Sequence, residues 1–311
     1  MNKFSTFLKT KFPVFTFWCG KKYLLLSTFF YRKNPKKWTL KKYKRKYGLK
    51  LNLDQPSSFY EKINYLKHNY FDEDQTLLTD KYRVKEFLEK SGDGAIVPKV
   101  LFCSKNIKDL KKWFYAYKDK YNQFVIKTNH SCGDIFIYHN GVVTRKYGIV
   151  IKKMRKVFRM LKIGMRYNHY YTCFERNYKD IDPLIFVEEY INMDEAIEYE
   201  FMVNYGQIRF TNVVTNRQNS AKSEILFDTK WNPIVKTGEI KDVKPKDENY
   251  MVSFIEKYAA KFPFCRVDFI ETKEKLYFCE FTFVKSGGIG YFKPDELNKS
   301  LGELIDISKL V

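Results

Sequence analysis

The spacing of hydrophobic residues changes at about residue 95. Before this point, apolar residues lie on neighbouring helical turns, which predicts helices at about 59–69 and 77–90. After it, short apolar runs predict strands at 96–102, 124–127, 135–138, 185–191, 198–203 and 208–214. Two further helices are predicted at 110–119 and 147–158, and two final strands at 267–270 and 276–283. The pattern as a whole indicates an α+β protein.

Local signals fix several ends of these elements. Ser58 and Glu61 have the spacing of a capping box at the start of the 59–69 helix. Asn140-Gly141 is a hairpin turn signal between two apolar runs. The charged turn at 272–275 joins the last two strands, so we expect them to form a hairpin.

The N-terminus is apolar but interrupted. Two short apolar runs between Phe12 and Phe30 are split by Gly20-Lys21-Lys22, and the basic pairs Arg32-Lys33 and Lys36-Lys37 follow. No run reaches the ~18 apolar residues of a membrane-spanning helix, and the break argues against a signal peptide. Two interpretations are open. The segment is either an interfacial helix on an anionic membrane or an apolar helix packed on the domain.

Charge and cysteine content narrow the classes of partner. The net charge of +21 attracts polyanions, which could be acidic polysaccharide, nucleotide phosphate, anionic lipid or nucleic acid. The six cysteines are far apart and include no CxxC pair, and no His stands at zinc-ligand spacing. We therefore expect reduced thiols in a cytoplasmic protein.

Three segments carry candidate chemistry. Lys127 ends an apolar strand before a small polar loop, where it could bind phosphate or simply be a solvated strand-end lysine. Glu188-Glu189-Tyr190 closes another strand, and its backbone and one carboxylate could hold an adenine and a ribose. Taken alone, neither segment is specific.

The C-terminal hairpin is more informative. Arg266 and Asp268 alternate along one strand, and Glu280 and Thr282 along the other, so each pair lies on one face. Two carboxylates on paired strands repel each other unless a cation lies between them. That cation could be Mg²⁺, or it could be the guanidinium of Arg266 in a cross-strand salt bridge.

Taken in order, these segments resemble the TupA-like (teichuronopeptide biosynthesis) ATP-grasp proteins over roughly residues 50–305. The motifs that carry the resemblance are 126–133, 187–190, 198–201, 262–269 and 278–283, supported by 59–67, 79–84 and 292–304. The resemblance implies an ATP-grasp fold with ATP between two α+β lobes. It divides the chain into a basic extension (1–50), a helical subdomain (51–95), a lobe with a phosphate loop (96–190) and a lobe with a magnesium hairpin (191–311).

The resemblance also implies roles for individual residues. Lys127 would contact the α- and β-phosphates, and Arg266 would lie beside the γ-phosphate. The other implied nucleotide-binding residues are His130, Ser131, Cys132 and Gly133 in the phosphate loop, Glu188, Glu189, Tyr190 and Ile191 in the adenine hinge, and Glu198 near the ribose. The implied Mg²⁺ ligands are Asp268, Glu280 and Thr282.

The sequence departs from the family pattern in four places. Ser131 and Cys132 occupy the middle of a loop that often reads His-Gly-Ser-Gly, and Glu200 stands where a lysine is expected. Thr282 stands where many ATP-grasp enzymes have an asparagine ligand. The first forty or so residues have no counterpart in the pattern.

The implied activity is ATP- and Mg²⁺-dependent ligation of a carboxylate to an amine through an acyl phosphate. An acidic cell-surface glycan or its lipid-linked precursor and an amino acid or amine would be the substrates. The enzyme would be cytoplasmic, with possible peripheral membrane contact through residues 1–50. Asn216, Arg217 and Lys222 could face the acceptor. Competing hypotheses are a glycan phosphotransferase and a non-catalytic basic glycan- or membrane-binding protein. Nucleic acid is a disfavoured partner, and a glycosyltransferase lacks support because the sequence has no Asp-x-Asp motif.

Overall fold

The computed structural model describes residues 3–145, 148–194, 196–216, 223–235 and 243–310, with side chains from residue 7 onward. The chain forms two compact units. Unit 1 comprises the residues up to Lys33 together with Thr76–Ile191, and unit 2 comprises Asn34–Gln75 and the residues from Asn192 on. The division into the four domains expected from the sequence stays a prediction.

The described helices and strands follow the chain in this order. The helices are α1 (Lys3–Lys11), α2 (Pro13–Phe29), α3 (Pro35–Tyr47), α4 (Phe59–Asn69), α5 (Asp74–Thr79), α6 (Arg83–Lys90), α7 (Ile107–Tyr121), α8 (Met154–Gly164), α9 (Tyr170–Cys173), α10 (Glu248–Ala259) and α11 (Asp295–Glu303). The strands are β1 (Val100–Ser104), β2 (Gln123–Thr128), β3 (Ile135–His139), β4 (Val142–Arg145), β5 (Ile149–Ile151), β6 (Ile185–Glu189), β7 (Ile197–Asn204), β8 (Gln207–Thr215), β9 (Ser223–Phe227), β10 (Cys265–Glu271) and β11 (Leu276–Thr282).

Unit 1 is built on a six-stranded antiparallel sheet with the strand order β1-β6-β2-β3-β4-β5. Its core contains Phe124 and Ile126 of β2, Leu110 and Phe114 of α7, and Phe158 of α8. Strand β2 lies inside the sheet, paired with both β3 and β6. Its C-terminal end, where Lys127 stands, is therefore held firmly on both sides.

Unit 2 is built on a five-stranded antiparallel sheet with the order β11-β10-β7-β8-β9. An aromatic core forms where Phe59 of α4 packs edge-to-face against Phe210 of β8 and Phe264. Helix α10 covers other strands through Phe254, which contacts Phe269 of β10. The sheet is rigidly packed, so its polar side chains are held at fixed positions.

The local signals at two element ends are confirmed. Helix α4 begins at Phe59 and ends at Asn69 as predicted, and Ser58 and Glu61 form the capping box. The β3–β4 hairpin turns at Asn140 and Gly141, which have φ angles of +45° and +84°. Positive φ at both positions is what an Asn-Gly hairpin turn requires.

Three predicted elements are wrong in their extent. The 77–90 helix is two helices, because Asp80 accepts hydrogen bonds from the backbone N–H groups of Tyr82 and Arg83 and so starts α6 anew. In the 147–158 segment, residues 149–151 form β5 and a helix begins only at Met154, while residue 147 lies outside the described residues. The first strand begins at Val100 because a short 3₁₀ helix occupies Gly94–Ile96.

The N-terminal segment is helical, and α2 packs on unit 1 through one side. Phe17 is buried in the core of unit 1, and the hydroxyl of Thr28 donates a hydrogen bond to the carbonyl of Tyr171 at 2.5 Å. The opposite side of α2 is exposed and apolar. Within the described parts of the chain, no helix has both the length and the apolarity needed to cross a membrane.

Candidate functional site

Lys127 forms an ion pair with Glu188 of the neighbouring strand β6. The second oxygen of that carboxylate lies 3.1 Å from Nζ of Lys85 on α6. The side chains of Lys85 and Glu188 are buried, whereas that of Lys127 keeps about a quarter of its surface exposed, at 26%. One buried carboxylate thus orients two ammonium groups, and the sequence reasoning had identified only one of them.

The charge balance of this triad favours an anionic ligand. Burial alone would raise the pKa of Glu188, but the charges of Lys127 and Lys85 outweigh it, so the pKa is lowered and the carboxylate stays ionised. One negative and two positive charges leave a net single positive charge. Lys127 is the more exposed of the two lysines, and its binding of phosphate oxygens stays a prediction.

The side chains of the predicted adenine hinge make different contacts. The carboxylate of Glu188 is turned to the lysines, so only its backbone is available for an adenine. Glu189 accepts a hydrogen bond from the backbone N–H of Lys99 at 2.9 Å and ties the end of β6 to the start of β1. Tyr190 and Ile191 follow the end of the strand. Their roles in the hinge stay a prediction.

The loop between β2 and β3, residues 129–134, is held by its own buried side chains. The imidazole Nδ1 of His130 lies 3.2 Å from Oδ1 of Asn129, and its Nε2 lies 3.3 Å from the carbonyl oxygen of Gly164. Burial lowers the pKa of His130, which favours the neutral ring. Ser131 donates a hydrogen bond to Asp134 at 2.8 Å. His130 and Ser131 therefore shape the β2–β3 loop from within.

Cys132 and Gly133 form the outer part of this loop. Cys132 is exposed. Gly133 has a φ of +89°, a backbone conformation that residues with a side chain rarely adopt. At the base of the loop, Asp134 is buried and forms an ion pair with Lys21 of α2 at 2.7 Å. The N-terminal helix, for which the family pattern offered no counterpart, thus supports the β2–β3 loop directly.

In unit 2, the predicted metal ligands lie on adjacent strands. Asp268 of β10 is paired in register with Glu280 of β11 on one side and with Glu200 of β7 on the other. Oxygens of Glu198, Glu200 and Asp268 all lie within 4.8 Å of one another. We call Glu198, Glu200, Asp268 and Glu280 the carboxylate cluster.

Arg266 lies within the carboxylate cluster. Its Nε and one terminal nitrogen donate to the two oxygens of Asp268 at 2.7 and 2.5 Å, and the same terminal nitrogen lies 3.2 Å from Glu280. Burial raises the pKa of Asp268 well above its ordinary value, and Glu200 and Glu280 add to this rise, while Arg266 opposes it. The salt bridge expected as one alternative is therefore present, and it leaves the site rich in negative charge.

Glu200, which departs from the expected lysine, has a lysine beside it. Lys285, in the 3₁₀ turn after β11, donates to Glu200 at 3.1 Å, and Asn212 of β8 donates to the same oxygen at 3.0 Å. Burial lowers the pKa of Lys285, which Glu200 partly offsets. Sequence reasoning missed Lys285 because it lies 85 residues from Glu200 along the chain.

The donors of the carboxylate cluster fit a hard divalent cation. Four carboxylates and two cationic side chains, Arg266 and Lys285, leave a formal net charge of about −2 when all are ionised, which one Mg²⁺ would balance. Thr282 adds a hydroxyl, which donates to Glu280 at 3.4 Å. Burial is the main cause of the raised pKa of Asp268, and an added cation would relieve the repulsion from Glu200 and Glu280 that adds to it.

A second group of metal-ligating side chains lies in unit 1, where His169, Cys173 and Glu175 come together. The expectation that no His stands at metal-ligand spacing was wrong, since His169 directly precedes α9 and lies one helical turn before Cys173. The thiol of Cys173 donates to Glu175 at 2.9 Å, which accounts for the contact without an ion. All six cysteines are free thiols, as expected.

The predicted acceptor loop falls mostly outside the described residues. Asn216 follows the end of β8 and has a φ of +53°. Arg217 and Lys222 lie outside the parts of the chain that the structure describes. Their role stays a prediction.

The solved structures that resemble the chain include an ATP-grasp ligase, a D-alanine-D-alanine ligase and a D-cycloserine synthetase. "Structure of ATP-grasp ligase PsnB complexed with phosphomimetic variant of minimal precursor, Mg, and ADP" has 9% identity and a TM-score of 0.41, covering 76% of this chain and 58% of that one. D-alanine-D-alanine ligase from Helicobacter pylori has 14% identity and a TM-score of 0.46, covering 80% and 70%. D-cycloserine synthetase DcsG has 10% identity and a TM-score of 0.42, covering 81% and 78%. This chain thus spans less than two thirds of the length of PsnB.

Comparison of sequences identifies the family. No curated protein matches the chain. The sequence model of the TupA-like ATP-grasp family matches residues 61–306, about four fifths of the chain, and this span includes all the candidate site residues described above except Lys21. The chain is α+β, as predicted, and its described strands form two antiparallel sheets. It belongs to the TupA-like ATP-grasp family.

Proposed function

We propose that this protein is an ATP-dependent carboxylate–amine ligase that acts through an acyl phosphate. The observation that carries the proposal is the carboxylate cluster, in which Asp268 and Glu280 stand opposite each other with Arg266 between them. A buried site of this charge is costly unless it serves a cationic ligand. The two lysines at Glu188 supply the complementary feature, a cationic site for phosphate oxygens.

In the first step, a substrate carboxylate oxygen attacks the γ-phosphorus of ATP. A new P–O bond forms, the bond to the bridging β–γ oxygen breaks, and ADP leaves with that electron pair. Lys127 would neutralise phosphate charge, and Arg266 would stabilise the transferring phosphoryl group. Asp268, Glu280 and Thr282 would hold Mg²⁺, which supplies further neutralisation of phosphate oxygens when bound.

In the second step, an amine attacks the acyl carbon of the acyl phosphate. A C–N bond forms, the C–O bond to the phosphoryl group breaks, and inorganic phosphate leaves. The amine loses its proton to phosphate or solvent, and an amide remains. Arg266 would stabilise the negative charge that develops on the tetrahedral intermediate.

The proposed substrates are those that the resemblance to the TupA-like family implies, and the charge of the chain supports them. A net charge of +21 suits an acidic glycan, such as a capsule, O-antigen or teichuronic-type polymer, or its lipid-linked precursor. A uronic acid would supply the carboxylate, and an amino acid or another small amine would supply the nucleophile. Because the reaction consumes ATP, we place it in the cytoplasm.

Nucleotide-dependent thermal stabilisation tests the nucleotide site without a known substrate. We expect ATP with Mg²⁺ to raise the melting temperature more than ATP with a chelator or GTP. The shift should be lost in Asp268→Asn and in Glu280→Gln, and it should be kept in Glu274→Gln, which lies in the exposed turn of the same hairpin. No shift in the wild type at millimolar ATP would refute the nucleotide site.

Product analysis then tests the reaction class. With an acidic glycan and a panel of amino acids, the ligase releases phosphate only when both are present, and the glycan gains the mass of the amine less water. A phosphorylated glycan formed without an amine would identify a phosphotransferase and overturn the ligase assignment.

A further inference from the structure

Exposed apolar side chains are concentrated at the N-terminus. Of the fifteen large hydrophobic residues that are exposed in the described part of the chain, eight lie between Phe7 and Phe30. Phe30 exposes 87% of its surface and Leu26 exposes 66%. Scattered exposed apolar residues are ordinary in folded proteins, but a contiguous group marks a surface that another phase or molecule covers.

Four of these eight residues share one side of helix α2, which also carries Lys22. At 100° per residue, Phe15, Trp18, Lys22, Leu26 and Phe29 fall within an arc of about 80°. Phe17 and Thr28, on the opposite side, are buried against unit 1. The helix is therefore apolar on both sides, and unit 1 covers only one of them. We call the uncovered side the exposed α2 face.

Basic residues accompany this face, and acidic ones are absent. Residues 7–33 contain six lysines and arginines, including Lys21, which is paired with Asp134, and no aspartate or glutamate. The ammonium of Lys22 lies 5.3 Å from the ring centre of Trp18, and the guanidinium of Arg32 lies 5.1 Å from that of Phe29. Lysine and arginine side chains that lie along aromatic rings can keep their charged groups beside the lipid headgroups, while the rings enter the boundary between headgroups and acyl chains.

Helix α8, which packs beside α2, continues the positive charge. Its exposed residues include Arg155, Arg159 and Lys162. Aromatic and leucine side chains on one helix, with basic residues beside them and on the neighbouring helix α8, match the chemistry of an anionic bilayer surface, where the apolar groups enter the interface and the cations meet the lipid phosphates.

We propose that the exposed α2 face docks flat on an anionic lipid bilayer. This surface is separate from the proposed ligase chemistry, and its occupant is the membrane itself. A second copy of the chain is the less suitable occupant, because a two-fold contact would place the same basic residues against each other without acidic partners from residues 7–33.

Vesicle co-sedimentation of the full chain tests the proposal. We expect binding to vesicles of phosphatidylcholine with phosphatidylglycerol, and weak binding to phosphatidylcholine alone. Phe15→Ala/Leu26→Ala should weaken the partition at least about tenfold. The matched control is Tyr115→Ala/Tyr117→Ala, which removes two exposed aromatic residues from α7 of the same unit and should bind as the wild type does. Circular dichroism melting confirms that each variant is folded.

The net charge of +21 could by itself attract anionic vesicles, so depth of insertion is the second measurement. Brominated lipids should quench the tryptophan fluorescence of the wild type more than that of Trp18→Phe. Equal vesicle binding by Phe15→Ala/Leu26→Ala, or equal quenching in Trp18→Phe, would overturn the proposal. So would an absence of vesicle binding together with a concentration-dependent dimer that Phe15→Ala/Leu26→Ala abolishes, because a second copy would then cover the face.

Discussion

Nζ of Lys21 lies 2.7 Å from Oδ2 of Asp134, and both side chains are nearly excluded from solvent. This ion pair joins helix α2 to the base of the β2–β3 loop. The same oxygen of Asp134 accepts a hydrogen bond from the hydroxyl of Ser131 at 2.8 Å. The Ser131 hydroxyl in turn lies 2.7 Å from Oγ1 of Thr128 at the end of β2. The position of the β2–β3 loop therefore depends on a residue of the N-terminal segment.

Replacing Lys21 should weaken nucleotide binding. Lys21→Met leaves the buried Asp134 without its cation, and we expect the loop to shift and the Kd for ATP with Mg²⁺ to rise about tenfold. Calorimetric titration measures this Kd. Lys21→Arg should restore most of the affinity, because it keeps the charge.

Lys22→Met is the matched control for Lys21→Met. Lys22 is the next residue on the same helix, and its ammonium lies over Trp18. Its replacement should leave the Kd for ATP unchanged. If Lys21→Met lowers the melting temperature but binds ATP as tightly as the wild type, Lys21 stabilises the fold without positioning the loop.

The triad of Lys85, Glu188 and Lys127 predicts a rescue. Lys85→Met removes one of two cations from a buried carboxylate, which should cost about 1–3 kcal/mol in the free energy of unfolding. Adding Glu188→Gln removes the buried carboxylate charge that has lost one of its two lysine partners. The double variant should therefore be more stable than Lys85→Met alone. Urea unfolding is measured for the wild type, Lys85→Met, Glu188→Gln and the double variant. Additive losses would contradict the coupling.

Magnesium-dependent ATP binding should strengthen as pH rises. Because the pKa of Asp268 is raised, protons compete with the cation for this carboxylate above the usual range of an aspartate. The Mg²⁺-dependent part of the thermal shift should be larger at pH 8 than at pH 6. The shift with ATP and chelator is the reference. An equal Mg²⁺-dependent shift at both pH values would show that Asp268 is fully ionised across this range.

His68 should make the stability of the protein depend on pH. Burial and the neighbouring Lys67 and Lys36 lower its pKa from 6.5 to about 3, and its Nε2 lies 2.9 Å from the hydroxyl of Thr39. Below pH 6.5 the unfolded chain therefore binds a proton that the folded chain does not. Stability is lost as pH falls from about 6.5 towards 3, by up to roughly 1.4 kcal/mol per pH unit.

Urea unfolding at pH 7 and pH 5 tests this dependence. His68→Gln cannot take up the proton, so its loss of stability between the two values should be smaller than that of the wild type. His139→Gln is the control, because His139 is exposed at the end of β3. If His68→Gln and the wild type lose the same free energy, His68 is not the responsible group.

The sequence predicted most elements because their signals are local. The capping box of Ser58 and Glu61, the Asn140-Gly141 turn and the last hairpin each depend on residues a few positions apart. The prediction of a single helix at 77–90 was wrong, and the cause is again local. The side chain of Asp80 accepts two backbone hydrogen bonds that start a new helix, and helical periodicity does not reveal these bonds.

The candidate site was predictable only in part. Asp268, Arg266 and Glu280 follow from alternation along two strands joined by a short turn. Lys85, Lys285 and Lys21 do not, because they reach Glu188, Glu200 and Asp134 across 103, 85 and 113 residues of sequence, respectively.

The sequence by itself therefore determined the α+β class, individual elements such as α4 and β2, and the hairpin that carries the carboxylates. These features depend on hydrophobic periodicity and short-range hydrogen bonds, which a single chain segment specifies. The tertiary structure decided which distant charged residues form pairs. A buried charge without a partner is costly, so each buried charged side chain pairs with an opposite charge that the fold places next to it. It also decided that α2 is covered on only one side.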